Sequence, residues 1–589
     1  MLVQTERLIK NWWAEGDLPV HTTSRIAYLV DGRSAMLSFC LQFLKAQKYI
    51  YIANWGMTPD LQLVRGKDHC AGPGGSPEQE ALLSGLRAQG LEQADIDFWC
   101  THDLSVQAVL GYVVNKGVEV KVLLWGGPVL PVLMHDKPKE AQRQLIEVGV
   151  TCLLDDSTHG IVHHPTESLH QKISIVDGTH AFVGGIDLLI ELSGDFDRWD
   201  SPSHPFASPL RRAKAGTSPH PFHDAHALIE GPAARDVELN FRQRWNSVVE
   251  RHAWKELLLP EHPPAPPVES KTIVQVARTI PQRTYSFEPA AGIQGIAQQY
   301  LNGLGNAHRF VYLENQYFWL HAGIGIVLPF LGSECLAMEH IIRELGDALR
   351  RGVTLALVLP DHPNIGRPDT DASLVHLRAE APEAVAQGHL QVFCLGSSSH
   401  QEDGEHYRPI YVHAKLAIVD DLWTTVGSAN LNNRGMRDDT EMNVTTLDAD
   451  LAQGLRLLLW AEHLGLVSEE DLPGVAGYLG NHSQGQEDEA RAKQVYHSLQ
   501  ETLGDPLAGL SLMIERAQDN LCRYKAGQPL VGHLLPYLTA QEARQHGLCF
   551  REEHGWIEEV QASLQHFSFG AFVRSERARA EDAEILTHP

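Results

Sequence analysis

LHQKISIVDGTHAFVGGIDL (Leu169–Leu188) and VHAKLAIVDDLWTTVGSANL (Val412–Leu431) carry one pattern twice, 243 positions apart. Written as H-x-K-x4-D-x6-G, the pattern is filled first by His170, Lys172, Asp177 and Gly184, and again by His413, Lys415, Asp420 and Gly427. Residues i and i+2 of an extended chain share a face, so each His is expected beside its own Lys. Each Asp has the opposite parity, and Asp177-Gly178 is a hairpin-turn dipeptide. Asp177 and Asp420 are therefore read as turn braces rather than substrate contacts.

The surroundings repeat as well. In the first copy a helical pattern near Ser34–Lys45 precedes the apolar run Tyr49–Trp55; Leu104–Gly117 then reads as helix and Val118–Trp125 as strand. In the second, a helix near Ile293–Leu304 precedes Phe310–Phe318, followed by a helical Met338–Gly352 and the strand Val353–Pro360. Helical periodicity ended by Gly before a continuous apolar, β-branched run is the mark of βαβ units on a covered sheet. The fold class expected is α/β: two similar βαβ-rich lobes, 25–257 and 273–486, related by a pseudo-twofold. Residues 1–24 form an N-terminal segment. The stretch 258–272 is a linker, stiffened by five prolines within Leu258–Ser270. Residues 487–589 form a mainly helical extension whose patterned run Leu507–Leu521 is expected to pack on the core, with membrane contact as the alternative. Ser193–Phe222 has no clean period and reads as a long loop.

With 589 residues, 43% apolar and 21% charged, the chain is long enough for two or more compact units. A net charge of −26 argues against a nucleic-acid partner and requires any anionic substrate to be held by a local cationic pocket. Eight cysteines without CxxC pairs suggest neither a zinc ribbon nor a disulfide framework. MLVQTERLIKNWWAEGDLP has no run of signal-peptide length, and no stretch of about 18 apolar residues occurs elsewhere. Synthesis in the cytosol without a signal peptide or transmembrane helix is expected, and action on a target-cell membrane would require a non-classical export route.

Two His–Lys strands brought together would place two imidazoles face to face, flanked by two ammonium groups. That arrangement suits a phosphodiester: a neutral imidazole attacks phosphorus at neutral pH while its protonated twin serves the leaving alcohol. Lys172 and Lys415 would neutralise the nonbridging oxygens, so that no metal or cofactor is called for. Each imidazole needs its other nitrogen held, usually by a carboxylate. Glu441, 28 residues after His413, is the candidate for His413, and Asp224 the candidate for His170. Seventeen residues past each His stand Asp187 and Asn430. They lie beside Gly185 and Ser428, whose backbone N–H groups could meet phosphate oxygens.

The paired motif resembles the phospholipase D superfamily. The words FVGGIDL, HDAHALIEGPAARD, YLENQYF, IVDDLWTTVGSANLNNRGM and LWAEHLG look like the phosphatidylcholine-hydrolysing branch, bacterial in type. The resemblance covers roughly Arg25–Gly480. It implies a bilobed α/β fold, a phosphohistidine intermediate, release of phosphatidic acid and transfer to primary alcohols, with His170 as nucleophile and His413 as acid. Some bacterial members of this branch are toxins delivered between cells, so the partners it implies are a phospholipid membrane surface and an immunity protein or secretion-machine component. Rival readings are a cardiolipin-synthase-like phosphatidyltransferase, a nuclease, and an inactive lipid-binding scaffold. The histidines of HGIVHH (His159, His163, His164) lack companions at zinc-ligand spacing. Glu314–Tyr317, at a strand end, are read as either site wall or core.

Overall fold

The structure, a computed structural model, describes residues 12–557 except 70–76, 128–136, 159–166, 191–195, 213–218, 288, 290, 321–335, 363–365, 469–470, 480–485 and 552–554. The apolar runs of the first copy become seven strands: β1 (Arg25–Val30), β2 (Tyr49–Asn54), β3 (Glu119–Trp125), β4 (Thr151–Asp155), β5 (Ile173–Val176), β6 (His180–Gly184) and β7 (Ala225–Glu230). They lie in the order β1-β7-β6-β5-β2-β3-β4, with only the β2-β3 and β3-β4 pairs parallel.

The second copy supplies β8 (Ile273–Ile280), β9 (Phe310–Asn315), β10 (Thr354–Val358), β11 (Leu390–Gln401), β12 (Lys415–Val419), β13 (Trp423–Gly427) and β14 (Glu441–Leu447). Their order, β8-β14-β13-β12-β9-β10-β11, repeats the first sheet strand for strand, with the same two parallel pairs. Gly184 faces His226 across the ladder in one sheet, and Gly427 faces Asn443 in the other.

Helices follow the sequence periodicity to within a few residues. On the outer face of the first sheet, α1 (Asp31–Lys45) and α2 (Val106–Asn115) bury Phe39, Phe43, Val109 and Leu110; the Ser105 hydroxyl caps α2 by accepting from the Ala108 N–H. After β7 comes α3 (Ala233–Arg251). On the outer face of the second sheet lie α4 (Gly295–Gly305) and α5 (Ala337–Arg350), and α6 (Ala449–Leu464) follows β14. One apolar cluster joins residues of both sheets, such as Tyr51, Ile175, Ile418 and Val444, to Trp245 of α3 and Trp460 of α6. A shared core therefore lies between the halves, and their seam is formed by packed side chains.

Three segments differ from their sequence reading. Trp12 and Trp13 are buried, and Val20–His21 pairs with β8, so residues 12–21 strap onto the second sheet. The Pro-rich stretch has no regular structure, yet it runs along α3: Trp245 Nε1 donates to the Leu257 carbonyl (2.8 Å), and Asn246 bonds the Leu259 backbone at both its amide atoms. The tail contributes α7 (Pro506–Lys525), and then Leu534–Pro536 adds antiparallel to β11, where an extended backbone completes a stretch of sheet edge. Among the described residues no helix is long and apolar enough to cross a membrane.

Candidate active site

The motif hairpins place the chemistry. Asp177 and Gly178 have φ of 51° and 63°, and Asp420 and Asp421 have 55° and 49°, the paired positive values that let a two-residue turn follow strand twist. The Asp177 carboxylate accepts from the backbone N–H groups of Gln47, Lys48 and Tyr49 (2.8, 2.7 and 2.9 Å). Asp420 does the same for His308, Arg309 and Phe310 (2.7, 2.8 and 2.8 Å). Each Asp thus fastens its hairpin to the start of the neighbouring strand. Glycine is required at the far end, since a Cβ on Gly184 would lie 2.5 Å from the His226 Cα, and one on Gly427 2.0 Å from Asn443 Oδ1.

His170 and His413 sit just before β5 and β12, on the seam. The His170 N–H donates to the Thr440 carbonyl (2.9 Å) and the His413 N–H to the His223 carbonyl (2.8 Å), within parallel bridges that run between the halves. Thr440 precedes Glu441, and His223 precedes Asp224. In consequence His170 Nδ1 meets Glu441 Oε1 at 2.9 Å and His413 Nδ1 meets Asp224 Oδ2 at 2.6 Å. This corrects the within-copy pairing expected from the sequence: each imidazole is held by the acid of the other half. The reason is the register of the two bridges, which aligns each motif with the strand leading to the opposite acid.

Both lysines curl back toward their own histidine, Lys172 Nζ donating to the His170 carbonyl (2.7 Å) and Lys415 Nζ to that of His413. Lys172 also pairs with Asp187 (3.2 Å), and Lys415 donates to Gln316 Oε1 (3.0 Å), which accepts from Asn430 Nδ2 as well (3.1 Å). Asp187 therefore reaches the pocket through Lys172, and Asn430 through Gln316. The other carboxylate oxygen of Asp187, Oδ1, and the amide oxygen of Asn430, Oδ1, are buried with no hydrogen-bond partner among the described residues.

The expected phosphate contacts through Gly185 and Ser428 are not available. The Gly185 N–H is taken by the Ala225 carbonyl and the Ser428 N–H by that of Met442 (both 3.0 Å), because the ladder continues past each motif. Their roles lie elsewhere: a Cβ on Gly185 would fall 2.1 Å from Asp224 Oδ1, and the Ser428 hydroxyl donates to Glu441. Of the strand-end residues, Gln316 lines the pocket and Glu314 belongs to a buried network. Arg198 and Arg434, which sequence reasoning missed, also bring charge to the site. Arg434 is held bidentately by Asp439 (2.9 and 3.0 Å).

The electrostatics follow from burial among cations. Burial, then Lys172, Lys415, Arg434 and Arg198, holds His170 well below the usual imidazole range; burial, Lys415, Arg198, Lys172 and His170 do the same to His413. Burial lowers Lys415 to about 7 against the pull of Asp224, and raises Asp224 to about 6 despite Lys415. Glu441 is also raised, by burial and by Asp439. The His170 side chain is 17% accessible and that of His413 4%, so His170 is the more open of the two.

Beside the pocket lies a second buried cluster. Asp31, His204, His223 and Glu462 bring ligand atoms within 4.8 Å of one another, as do His223, Glu314 and His463. These donors have the spacing to hold a cation, and several bond one another: His223 bridges Asp31 (3.0 Å) and Glu314 (2.7 Å), and His204 Nε2 meets Glu462 (2.8 Å). The HGIVHH histidines lie outside the described residues.

Two family models match the chain, one described as Phospholipase D over residues 42–322 and one as Cardiolipin synthase, PLD-like domain, over 321–460. The chain is 27% identical to "Phospholipase D alpha 1" of Carica papaya, with 72% of this chain and 63% of that protein covered. It is 26% identical to the same-named protein of Zea mays, with 78% and 67% covered. The chain thus spans about two-thirds of the length of these relatives. Among solved structures it is similar to a phosphatidylserine synthase of Haemophilus influenzae (TM-score 0.44, 13% identity, 77% of this chain and 88% of that one). It is also similar to the phospholipase D family member Nuc of Salmonella typhimurium (TM-score 0.20, 18% identity, 31% and 90%). The chain therefore carries phospholipase D superfamily domains, with the plant phospholipases D as homologues at low identity.

Proposed function

We propose that this chain is a phospholipase D: it hydrolyses the distal phosphodiester of glycerophospholipids to phosphatidic acid and free headgroup, through a phosphohistidine. The observation that carries the reading is the crossed pairing, in which Glu441 holds His170 and Asp224 holds His413. With Nδ1 engaged, each ring directs Nε2 to chemistry. His170, the more accessible ring, attacks phosphorus as the bond to the headgroup oxygen breaks, and that oxygen takes the proton of His413. Water then gives a proton to His413 and its oxygen to phosphorus as the P–N bond breaks. Lys172 and Lys415 offset the charge on the nonbridging oxygens. The arriving phosphodiester offsets the same cations and so favours the protonated His413 that the first step consumes.

A phospholipid surface is the proposed substrate. The test is mass-spectrometric profiling of mixed phospholipid vesicles exposed to wild type and His170→Ala. Headgroup release and phosphatidic acid are expected from wild type alone, and an added primary alcohol should divert the product. The match of residues 321–460 to a cardiolipin-synthase-type domain favours phosphatidyl transfer as second reading; it would show as a glycerol adduct dominating over hydrolysis. Failure to trap any labelled phosphoenzyme, together with no turnover, would leave an inactive scaffold.

A further inference from the structure

We infer that Gln171, which stands between the histidine and the lysine of the first motif, is a positioning residue for the His170–Glu441 pair: its side chain ties the motif to the Glu441 backbone across the seam. Its part in a reaction rests on the phosphodiesterase reading; the brace itself rests on geometry. Gln171 is 0% exposed. Its amide Nε2 donates to the Glu441 carbonyl (3.0 Å), and its Oε1 accepts from Asn240 Nδ2 (2.7 Å) and Arg244 Nη1 (2.8 Å), both on α3. A guanidinium can only donate, so Arg244 fixes which amide atom is the oxygen and turns the NH2 group toward the seam.

The brace sits where the backbone stops joining the halves. The Thr440 N–H donates to the Ser168 carbonyl (3.0 Å) and the His170 N–H to the Thr440 carbonyl (2.9 Å). Beyond these bonds the two chains part, Ile173 entering β5 of the first sheet and Glu441 opening β14 of the second. The Gln171 side chain carries the connection one step further, onto the very residue whose carboxylate holds His170 Nδ1 (2.9 Å). Glu441 is thereby fixed at three points: its carbonyl by Gln171, Oε1 by His170 and Oε2 by the Ser428 hydroxyl.

Behind Gln171 runs a buried polar chain. Arg244, also buried, donates through Nε to the Tyr285 hydroxyl (2.9 Å) and through Nη2 to Asp155 (3.2 Å), and the Tyr285 hydroxyl donates to the same Asp155 oxygen (2.8 Å). Asp155 ends β4 and Tyr285 belongs to the second half, so this anchor spans the seam as well. Asn240 Oδ1 accepts from Arg278 of β8 (3.3 Å), whose guanidinium is gripped by Asp17 (both bonds 2.8 Å). Buried charges are tolerated when paired and hydrogen-bonded, and such a network specifies one arrangement of the groups it holds. The second motif has Ala414 in the corresponding place, which has no side chain to reach the Asp224 backbone. The two His–acid pairs are therefore unlike, and the braced one carries the more accessible ring. That ring has to meet phosphorus in line, where a displacement of about 1 Å costs on the order of 100-fold in rate.

Gln171→Met and Gln171→Ala in the full chain test the inference: methionine keeps the length and loses the bonds, and alanine installs the residue of the second motif. With a soluble phosphodiester, kcat per folded molecule is expected to fall about 10–100-fold while KM stays within about 3-fold. The acid limb of the pH profile, set by His170, should move to lower pH as the Glu441 carboxylate loosens from the ring, and the basic limb should stay. A second readout needs no turnover: the rate at which diethyl pyrocarbonate modifies each histidine, followed by peptide mass spectrometry. His170 should react about 5-fold or more slowly in both variants, because a loosened carboxylate makes the ring less basic at Nε2, and His413 should react as in wild type. Unchanged or faster modification of His170, or an equal change at His413, would overturn the brace. A lowered melting temperature with kcat and both limbs retained would also overturn it, leaving a structural amide. Slowed modification of His170 alone, with no turnover by wild type, would keep the brace and strike the phosphodiesterase reading. Should Gln171→Ala fail to fold, Gln171→Met decides.

Discussion

The exchange of acids between the two histidines fixes what each residue does to a pH profile. His170 must be neutral to attack, and His413 must be protonated to serve the leaving group. Burial and the neighbouring cations hold both rings below their ordinary range, so His413 loses its proton as pH rises through a value lower than 6.5. The kcat/KM profile should therefore be a bell with its maximum on the acid side of 6.5, and a flat profile between pH 5 and 9 would refute the paired assignment. Asp224→Asn is expected to move the basic limb and Glu441→Gln the acid limb, each with about a 10–100-fold loss of rate. The reverse assignment of limbs would restore the within-copy pairing. Ser428→Ala should resemble a mild Glu441 variant, moving the acid limb alone, because the hydroxyl touches the pocket only through that carboxylate.

At the scale of the element, the hairpins test whether the motif Asp residues build or react. Asp177→Ala and Asp420→Ala each remove the acceptor for three backbone N–H groups. A loss of about 1–3 kcal/mol per variant is expected in urea melts, with rate per folded molecule retained. A loss of rate without loss of stability would make them substrate contacts instead. This part of the design was legible, since Asp-Gly after an alternating strand announces its turn. The βαβ units were legible too, because apolar runs alternate with 3.6-period segments, but the order of the strands was not. Three other things were not: the trans pairing, the strand Leu534–Pro536, and the ion pairs that order the segment around Arg198. Spacing along one copy says nothing of which half's acid lies across a seam. A three-residue apolar run has no period, and the ion pairs Arg65–Asp197 and Arg211–Asp200 join residues that share no pattern.

Across the whole molecule, the two halves meet through the buried network beside the pocket. Asp31 opens α1, His204 and His223 come from the first half's irregular segment and the strand before Asp224, and Glu314, Glu462 and His463 come from β9 and α6. Since the His223 carbonyl holds the His413 backbone, this network also sets the register of the pocket. Burial would lower His204, but Asp31, Asp200 and Glu462 raise it to about 10. A histidine with a raised folded-state value stabilises fully below its unfolded value near 6.5 and ceases to do so as pH climbs toward 10. His204→Gln removes one partner from buried acids and should cost about 3–5 kcal/mol. The difference in melting temperature between wild type and His204→Gln should accordingly be widest below pH 6.5 and narrow toward pH 10, as followed by scanning calorimetry. A difference that stayed constant over that range would mean that His204 is neutral in the folded protein and that packing, not charge, joins the halves there.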